Sequence, residues 1–538
     1  MGRQKIHTQK IESSHRAKEI FNDVIRWIER VGNYLPHPFF LFIILIGFIF
    51  VLSFILNKLG ISVTYDEINT VTSQKISKEI SVVNLFEKSM VQAIMANFVK
   101  TFVYFAPVGF VIIMILGVSL AEQAGFFNAI IRLAINKTPD SLITFVIALV
   151  GICANMASDA GIVIAPAIGA AVFLALGRHP IAGIAAGYVA AYGGYSANIF
   201  IAGTDVILAG ITQSAISYFN IDAPVHPLMN WYVMMGSTLT LATVVTLVTE
   251  KVIIPYLGEY NPPDNQSFPK QIHTMKLSRD ERKGLKYALI VTVIFVLFIM
   301  ANAIPENALL RNENGQLLPV SPLISGIIFI LFTFSFLVGV AFGYGSKSIK
   351  SLDEVPMLMS RGLSGVAGFL VVCLPASVFI DLFHKSNLTT IIAINGAKLF
   401  EYIDIGVIPA LLLFAVFCAI LNIFITSGLT QWVITAPIFV PLFYHMGISP
   451  AMTQMAFRIG DSTTNIISPI SAYLPMLLGL MEKYRSRDQK IGIGSALSLM
   501  LPYSAALFVF WLLYFGIWLM LGLDPGPGVS MYVNNPLP

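Results

Sequence analysis

Charge is scarce in this sequence. Asp, Glu, Lys and Arg make up 12% of its 538 residues, against about 25% in an average soluble domain. Cysteine is scarcer still: Cys153, Cys373 and Cys418 are the whole set, and all three lie in apolar stretches. They cannot pair completely and none has metal-ligand spacing, so they read as small buried hydrophobes. The eight histidines show no paired spacing, and neither a phosphate-binding loop nor Cys-x-x-Cys occurs. These absences argue against ATP hydrolysis, a metal centre or a nucleophile–base pair. No enzyme, no cofactor and no nucleic-acid partner is expected. Nor is a cleavable signal peptide, because residues 1–35 are polar and basic and no short apolar core with a cleavage site follows directly.

What is abundant is apolar. Hydrophobic residues make up 56% of the chain, and mean hydropathy is +0.78. A single soluble core stops growing beyond ~250–300 residues. The composition therefore points to an all-α polytopic membrane protein, each crossing taking ~20 apolar residues. Clear spans are Pro36–Asn57, Phe98–Leu120, Met229–Pro255, Lys286–Ile304, Pro322–Gly343 and Gly492–Leu521. Interrupted ones are Pro180–Ala202, Leu363–Leu382 and Pro450–Leu480, which makes nine.

The positive-inside rule orients them. Arg3, Lys5, Lys10, Arg16, Lys18, Arg26 and Arg30 place the segment 1–35 in the cytoplasm, ahead of a single transmembrane domain over 36–538. Lys270, Lys276, Arg279, Arg282 and Lys283 mark a cytoplasmic loop at about 257–285, and Lys483, Arg485, Arg487 and Lys490 mark another. The C-terminal tail has no Lys or Arg and reads as external, in a cytoplasmic (inner) membrane. Segment 58–97 mixes four lysines with four acids and is long enough to carry its own structure.

Two apolar segments, 141–177 and 408–445, do not fit as spans. Each has a polar, Gly-containing break near its middle, too short and too weakly charged for an ordinary loop. Each is expected to be a re-entrant helical hairpin with its tip near mid-membrane. After each comes a proline, Pro180 or Pro450, and then a span with a polar break. The unit therefore occurs twice in opposite orientation, over about 141–205 and 408–480. Interrupted spans in corresponding positions of inverted halves point to the binding site of a secondary transporter.

Ionisable groups inside spans are expensive and functional by default. Arg458 and Asp461 share a helical face at i, i+3 and are expected to pair. They either brace the helix break or provide an anion-binding arginine balanced by a titratable aspartate. Asp159, beside Asn155 and Ser158 at the first tip, is either a helix cap or part of the site. Asp205 is either a solvated edge residue or functional. Trp432 is either core or a platform for an aromatic substrate. Asn155, Asn198, Ser427 and Asn465, with Ser158, are oxygen donors of the kind that hold Na⁺.

These motifs resemble the AbgT (p-aminobenzoyl-glutamate transporter) family. The resemblance rests on Ala436-Pro437 to Pro441, on Pro450 through Arg458-Ile459-Gly460-Asp461-Ser462-Thr463-Thr464-Asn465-Ile466 to Pro469, on Ser158-Asp159-Ala160-Gly161, and on Gly193-Gly194-Tyr195-Ser196-Ala197-Asn198. It implies a homodimer with nine spans and two opposed hairpins per subunit, coupled to the proton gradient, with Na⁺ as the alternative or additional ion. It implies import of p-aminobenzoyl-glutamate or export of sulfonamide antimetabolites. Carried over by position, the functional set is Asp205, Trp432, Pro450, Arg458, Asp461 and Pro469. Leu429 stands where similar members have serine. The rival expectation is a dicarboxylate or other organic-anion carrier of similar two-hairpin architecture.

Overall fold

A computed structural model describes residues 36–533, except 69–74, 137, 158–159, 218–222, 263–276, 319–320, 364–366, 404 and 488. Segment 1–35, most of the basic loop near 270, and both Ser158 and Asp159 lie outside the described residues.

The chain folds into α1 (Pro38–Lys58), a strand pair β1 (Ser62–Ile68) and β2 (Lys75–Ser81), then α2 (Lys88–Val103), α3 (Ala106–Gln123) and α4 (Phe126–Asn136). The first repeat unit supplies α5 (Ile143–Cys153), α6 (Ala160–Ala175), α7 (Pro180–Tyr188) and α8 (Gly203–Ile216). Next come α9 (Trp231–Val248), α10 (Arg279–Ala301), α11 (Ile327–Ser346), α12 (Glu354–Leu363), α13 (Ala367–Lys385) and α14 (Leu388–Tyr402). The second unit supplies α15 (Val407–Phe424), α16 (Gly428–His445), α17 (Pro450–Thr464) and α18 (Leu474–Lys483), and α19 (Ile493–Met520) ends the bundle.

Helix starts follow local chemistry. Pro38 sits in the first turn of α1, where its missing N–H costs nothing. Ser278 and Glu281 form a capping box that starts α10 ahead of the expected Lys286. Among the described residues, seven helical stretches are long and apolar enough to cross a membrane. Six coincide with the clear spans. The seventh, Val407–Phe424, is the first arm of the expected second hairpin. The span expected at 363–382 runs as continuous helix from Ala367 to Lys385 through Pro375.

One departure from an all-α protein lies in segment 58–97. Its strands pair antiparallel, Val63 opposite Ile80. Alternation of β-branched and polar residues favours this. The pair is anchored where Asn387 Nδ2 donates to Ser81 O (2.9 Å).

Both broken segments are antiparallel helix pairs. In the second, Gln431 Nε2 donates to Cys418 O near the tip (2.7 Å). Farther back the Phe414 and Phe439 ring centroids lie 4.3 Å apart. In the first, Ala154 backs onto Gly161 at the tip. At the mouth, Arg178 and Thr144 both reach Glu250 Oε1, at 2.8 and 2.6 Å.

The two pairs open at opposite ends of the molecule. α19 has 28 residues, about 42 Å at 1.5 Å per residue. At its N-terminal end, Ser486 Oγ lies 3.2 Å from His179 Nε2, beside Arg178 and the first mouth. At its C-terminal end, Val533 N donates to Gly447 O (2.9 Å) and Ser449 N to Met531 O (3.0 Å), beside the second mouth. α7 and α17 therefore enter from opposite ends and meet in the middle.

Candidate functional site

The two units meet at their breaks. α7 passes into a π turn at Val189–Gly193 and then loses helical form until Gly203. α17 passes into a 3₁₀ turn at Asn465–Ile467. Ser196 N donates to Ser462 Oγ across them (3.1 Å), and Asn465 Nδ2 donates to Tyr192 O (3.4 Å). Unwound backbone is tolerated at this depth where protein or a cavity satisfies it.

A cavity of about 330 Å³ opens there. The first hairpin contributes Ile162, and the first break Tyr192, Tyr195 and Ser196. The second hairpin contributes its tip, residues 426–429, α17 contributes Asp461, and the 3₁₀ turn after it contributes Asn465. Leu429, in the position where serine was expected, is part of that wall.

The charges do not pair as the sequence predicts. Arg458 Nη2 forms its ion pair with Asp205 Oδ1 at 2.8 Å, both side chains 1% exposed. The expected i, i+3 partner Asp461 is left out. Spacing along a helix allows that pair, but α8 of the other unit brings Asp205 closer. Asp205 Oδ2 also accepts from Ala202 N (2.6 Å), so the same carboxylate caps α8. Arg458 Nη1 donates to Ser196 O (3.5 Å).

Asp461 turns instead to the start of α16. A Cβ on Gly428 would stand 2.6 Å from both carboxylate oxygens, so only glycine permits this approach. The amide end of α16 favours a negative charge there. Ser427 caps that helix, its Oγ accepting from Thr430 N (3.3 Å).

Other predicted residues stand back from the cavity. Trp432 is fully buried and stacks on Phe457, centroids 4.6 Å apart, outside the cavity wall. Pro450 opens α17 at the far end, against the C-terminal tail. Pro469 follows the 3₁₀ turn. Of the four sodium-type donors, Ser427 and Asn465 line the cavity, whereas Asn155 and Asn198 are buried outside it. The described residues contain no cluster of three His, Cys, Asp or Glu able to hold a metal ion.

Sequence reasoning missed a polar group behind the ion pair. Gln454 Oε1 accepts from Arg458 Nε (3.2 Å) and Asn230 Nδ2 (2.8 Å). Gln454 Nε2 donates to Thr212 Oγ1 (2.7 Å), and so does Trp432 Nε1 (3.0 Å). The available signal was spacing: Gln454 lies one helical turn before Arg458, and Thr212 two turns after Asp205. Asn422 was missed too. Its Nδ2 reaches Asp461 O, and Asn465 Oδ1 at 2.8 Å.

Known proteins share this architecture. The chain is 34% identical to the p-aminobenzoyl-glutamate transport protein of Escherichia coli K12 over 519 residues, which cover 96% of this chain and 98% of that protein. Among solved structures, MtrF of Neisseria gonorrhoeae, from a class of antimetabolite efflux pumps, superposes with TM-score 0.86 at 35% identity. It covers 94% of this chain and 100% of its own. The YdaH transporter of Alcanivorax borkumensis, noted for an unusual topology, superposes with TM-score 0.81 at 29% identity, covering 91% of this chain and 100% of its own. The family match runs from residue 23 to 533, and the chain belongs to the AbgT transporter family.

Proposed function

We propose that this protein is an ion-coupled secondary transporter of p-aminobenzoyl-glutamate or related aromatic anions, working in folate-catabolite uptake or in sulfonamide antimetabolite efflux. One observation carries the proposal. Both helix breaks and residues of both hairpins border one cavity, with Asp461 in its wall and the Arg458–Asp205 pair behind it. At about 330 Å³ the cavity falls in the range that takes small molecules.

In the proposed mechanism the substrate carboxylate, or a sulfonamide oxygen in the export case, competes with Asp205 for Arg458. Tyr195 and Tyr473, both in the wall, flank the aromatic ring, and Trp432 backs the second tip from behind. Asp205 and Asp461 are the proton carriers. Ser427 and Asn465, with Asn155 and Asn198 deeper in, offer oxygens to Na⁺. Pro450 and Pro469 bound the unwound helix. The hairpins 141–177 and 408–445 are re-entrant, nine helices span the inner membrane, the N-terminus is cytoplasmic and the C-terminus external. Two subunits form a homodimer.

Uptake of labelled p-aminobenzoyl-glutamate into proteoliposomes, with and without a pH gradient, is the test. The expected result is saturable, gradient-accelerated uptake that Arg458→Ala and Asp461→Ala each abolish. Unchanged uptake by both variants would overturn the site. Saturable uptake of labelled succinate that unlabelled p-aminobenzoyl-glutamate does not compete would favour the dicarboxylate carrier.

A further inference from the structure

We infer that Gln454 and Thr212 are positioning residues that tie the Asp205–Arg458 ion pair to the second hairpin through Trp432. The inference rests on the ion-coupled transport proposed above and adds the route by which the pair is read.

The geometry is a ladder with two rungs. α8 carries Asp205 and Thr212, two turns apart on one face, and α17 carries Gln454 and Arg458, one turn apart. The helices run antiparallel, so Asp205 meets Arg458 (2.8 Å) and Thr212 meets Gln454 (2.7 Å). α16 joins at the second rung, its Trp432 Nε1 donating to the same Thr212 hydroxyl (3.0 Å).

The oxygens of the second rung are committed. Thr212 Oγ1 donates to Leu208 O (2.9 Å), which fixes its proton and leaves two lone pairs for Gln454 and Trp432. Gln454 Oε1 takes both Arg458 Nε and Asn230 Nδ2, so its amide has one orientation. Arg458 cannot leave Asp205 for an anion in the cavity, or for Asp461, without disturbing Gln454. A displaced Gln454 withdraws from Thr212, the hydroxyl that holds Trp432. All five side chains are fully buried or nearly so, and water cannot substitute for a lost partner.

The other ionisable groups facing the pair are few. Asp461 lies three residues on, with Cys418 of α15 beside it, and Tyr192 and Tyr195 stand across the cavity. Of the other helices packed on α8 or α17, α3 carries Glu122, α16 carries Tyr444 and His445, and α19 carries Tyr503 and Tyr514.

The test uses the purified full chain in proteoliposomes with labelled p-aminobenzoyl-glutamate. Two readouts are compared: counterflow exchange at equal pH, and the acceleration of uptake by an imposed pH gradient. Gln454→Met and Thr212→Val are expected to lower that acceleration about tenfold or more while counterflow falls less than about threefold. Thr212→Ser, which keeps the hydroxyl, is expected to restore it. Variants that keep full acceleration, or that lose both readouts in proportion, would overturn the link. A wild type that shows counterflow but ignores the gradient would overturn proton coupling itself, and the inference with it.

Discussion

The two hairpins share a plan and differ in how they are held. The first is held by the absence of side chains. A Cβ on Gly169 would run into the Gly183 carbonyl, and one on Gly187 into Ala165 O, so α6 lies against α7 backbone to backbone. Its mouth is clamped by Arg178 and Thr144 on Glu250. The second hairpin is held by large groups: Phe414 on Phe439, and Trp432 on Phe457 and Thr212. The charges are divided as unevenly. Among the described residues of the site, the first unit contributes Asp205, and the second contributes Arg458 and Asp461. The two units thus share a plan of helix pair, proline and broken helix without sharing the chemistry.

The largest effect is expected where the units share a charge. Arg458→Ala strands a buried carboxylate and should destabilise the protein by about 3–5 kcal/mol as well as abolish uptake. Arg458→Leu combined with Asp205→Leu should unfold closer to wild type, while uptake stays lost. Equal melting of the single and double variants in detergent would deny the pair across the units. Next comes the seam. Gly169→Val forces α6 off α7 and should cost about 1–3 kcal/mol, read as a lower thermal midpoint. Phe414→Leu in the second hairpin should cost about 1 kcal/mol, since only an aromatic contact is weakened. A reversed order would break the contrast between a side-chain-free and a side-chain-built hairpin.

Leu429→Ser is smaller again. It returns a hydroxyl to the cavity wall and should change the KM for p-aminobenzoyl-glutamate by about tenfold or less, one hydrogen bond's worth. The smallest effect near neutrality concerns His179. Burial pushes its imidazole down to about 4 from an ordinary value of 6.5. Its Nδ1 accepts from Ile181 N at the start of α7, a bond only the neutral ring can make. The unfolded chain therefore binds a proton that the folded chain refuses. Stability should fall as pH drops from about 6.5 toward about 4. His179→Gln should flatten thermal midpoints over that window; an unchanged slope would remove His179 as the cause.

Much of this was legible in the residues. The polar breaks at 155–161 and 422–430 lie where the helix pairs turn, and the breaks after Pro180 and Pro450 lie where the units meet, because a backbone unwound within a span needs polar or small residues. Asp205, Arg458 and Asp461 came into view because charge in an apolar chain is conspicuous. Thr212 and Gln454 did not, because uncharged polar residues in helices are common and most satisfy themselves locally. The strands Ser62–Ile68 and Lys75–Ser81 were not legible, because seven residues of mixed polar and β-branched type leave no apolar run.

The sequence by itself determined the membrane class, the two-unit layout and the few charges that matter, since each follows from hydropathy, proline and polarity read along one dimension. Which charges pair was decided only in three dimensions. Arg458 has one carboxylate three residues away and another in a different unit, and the distant one makes the ion pair. Helical spacing only permits a contact. The crossing of α8 and α17 sets which carboxylate the guanidinium meets.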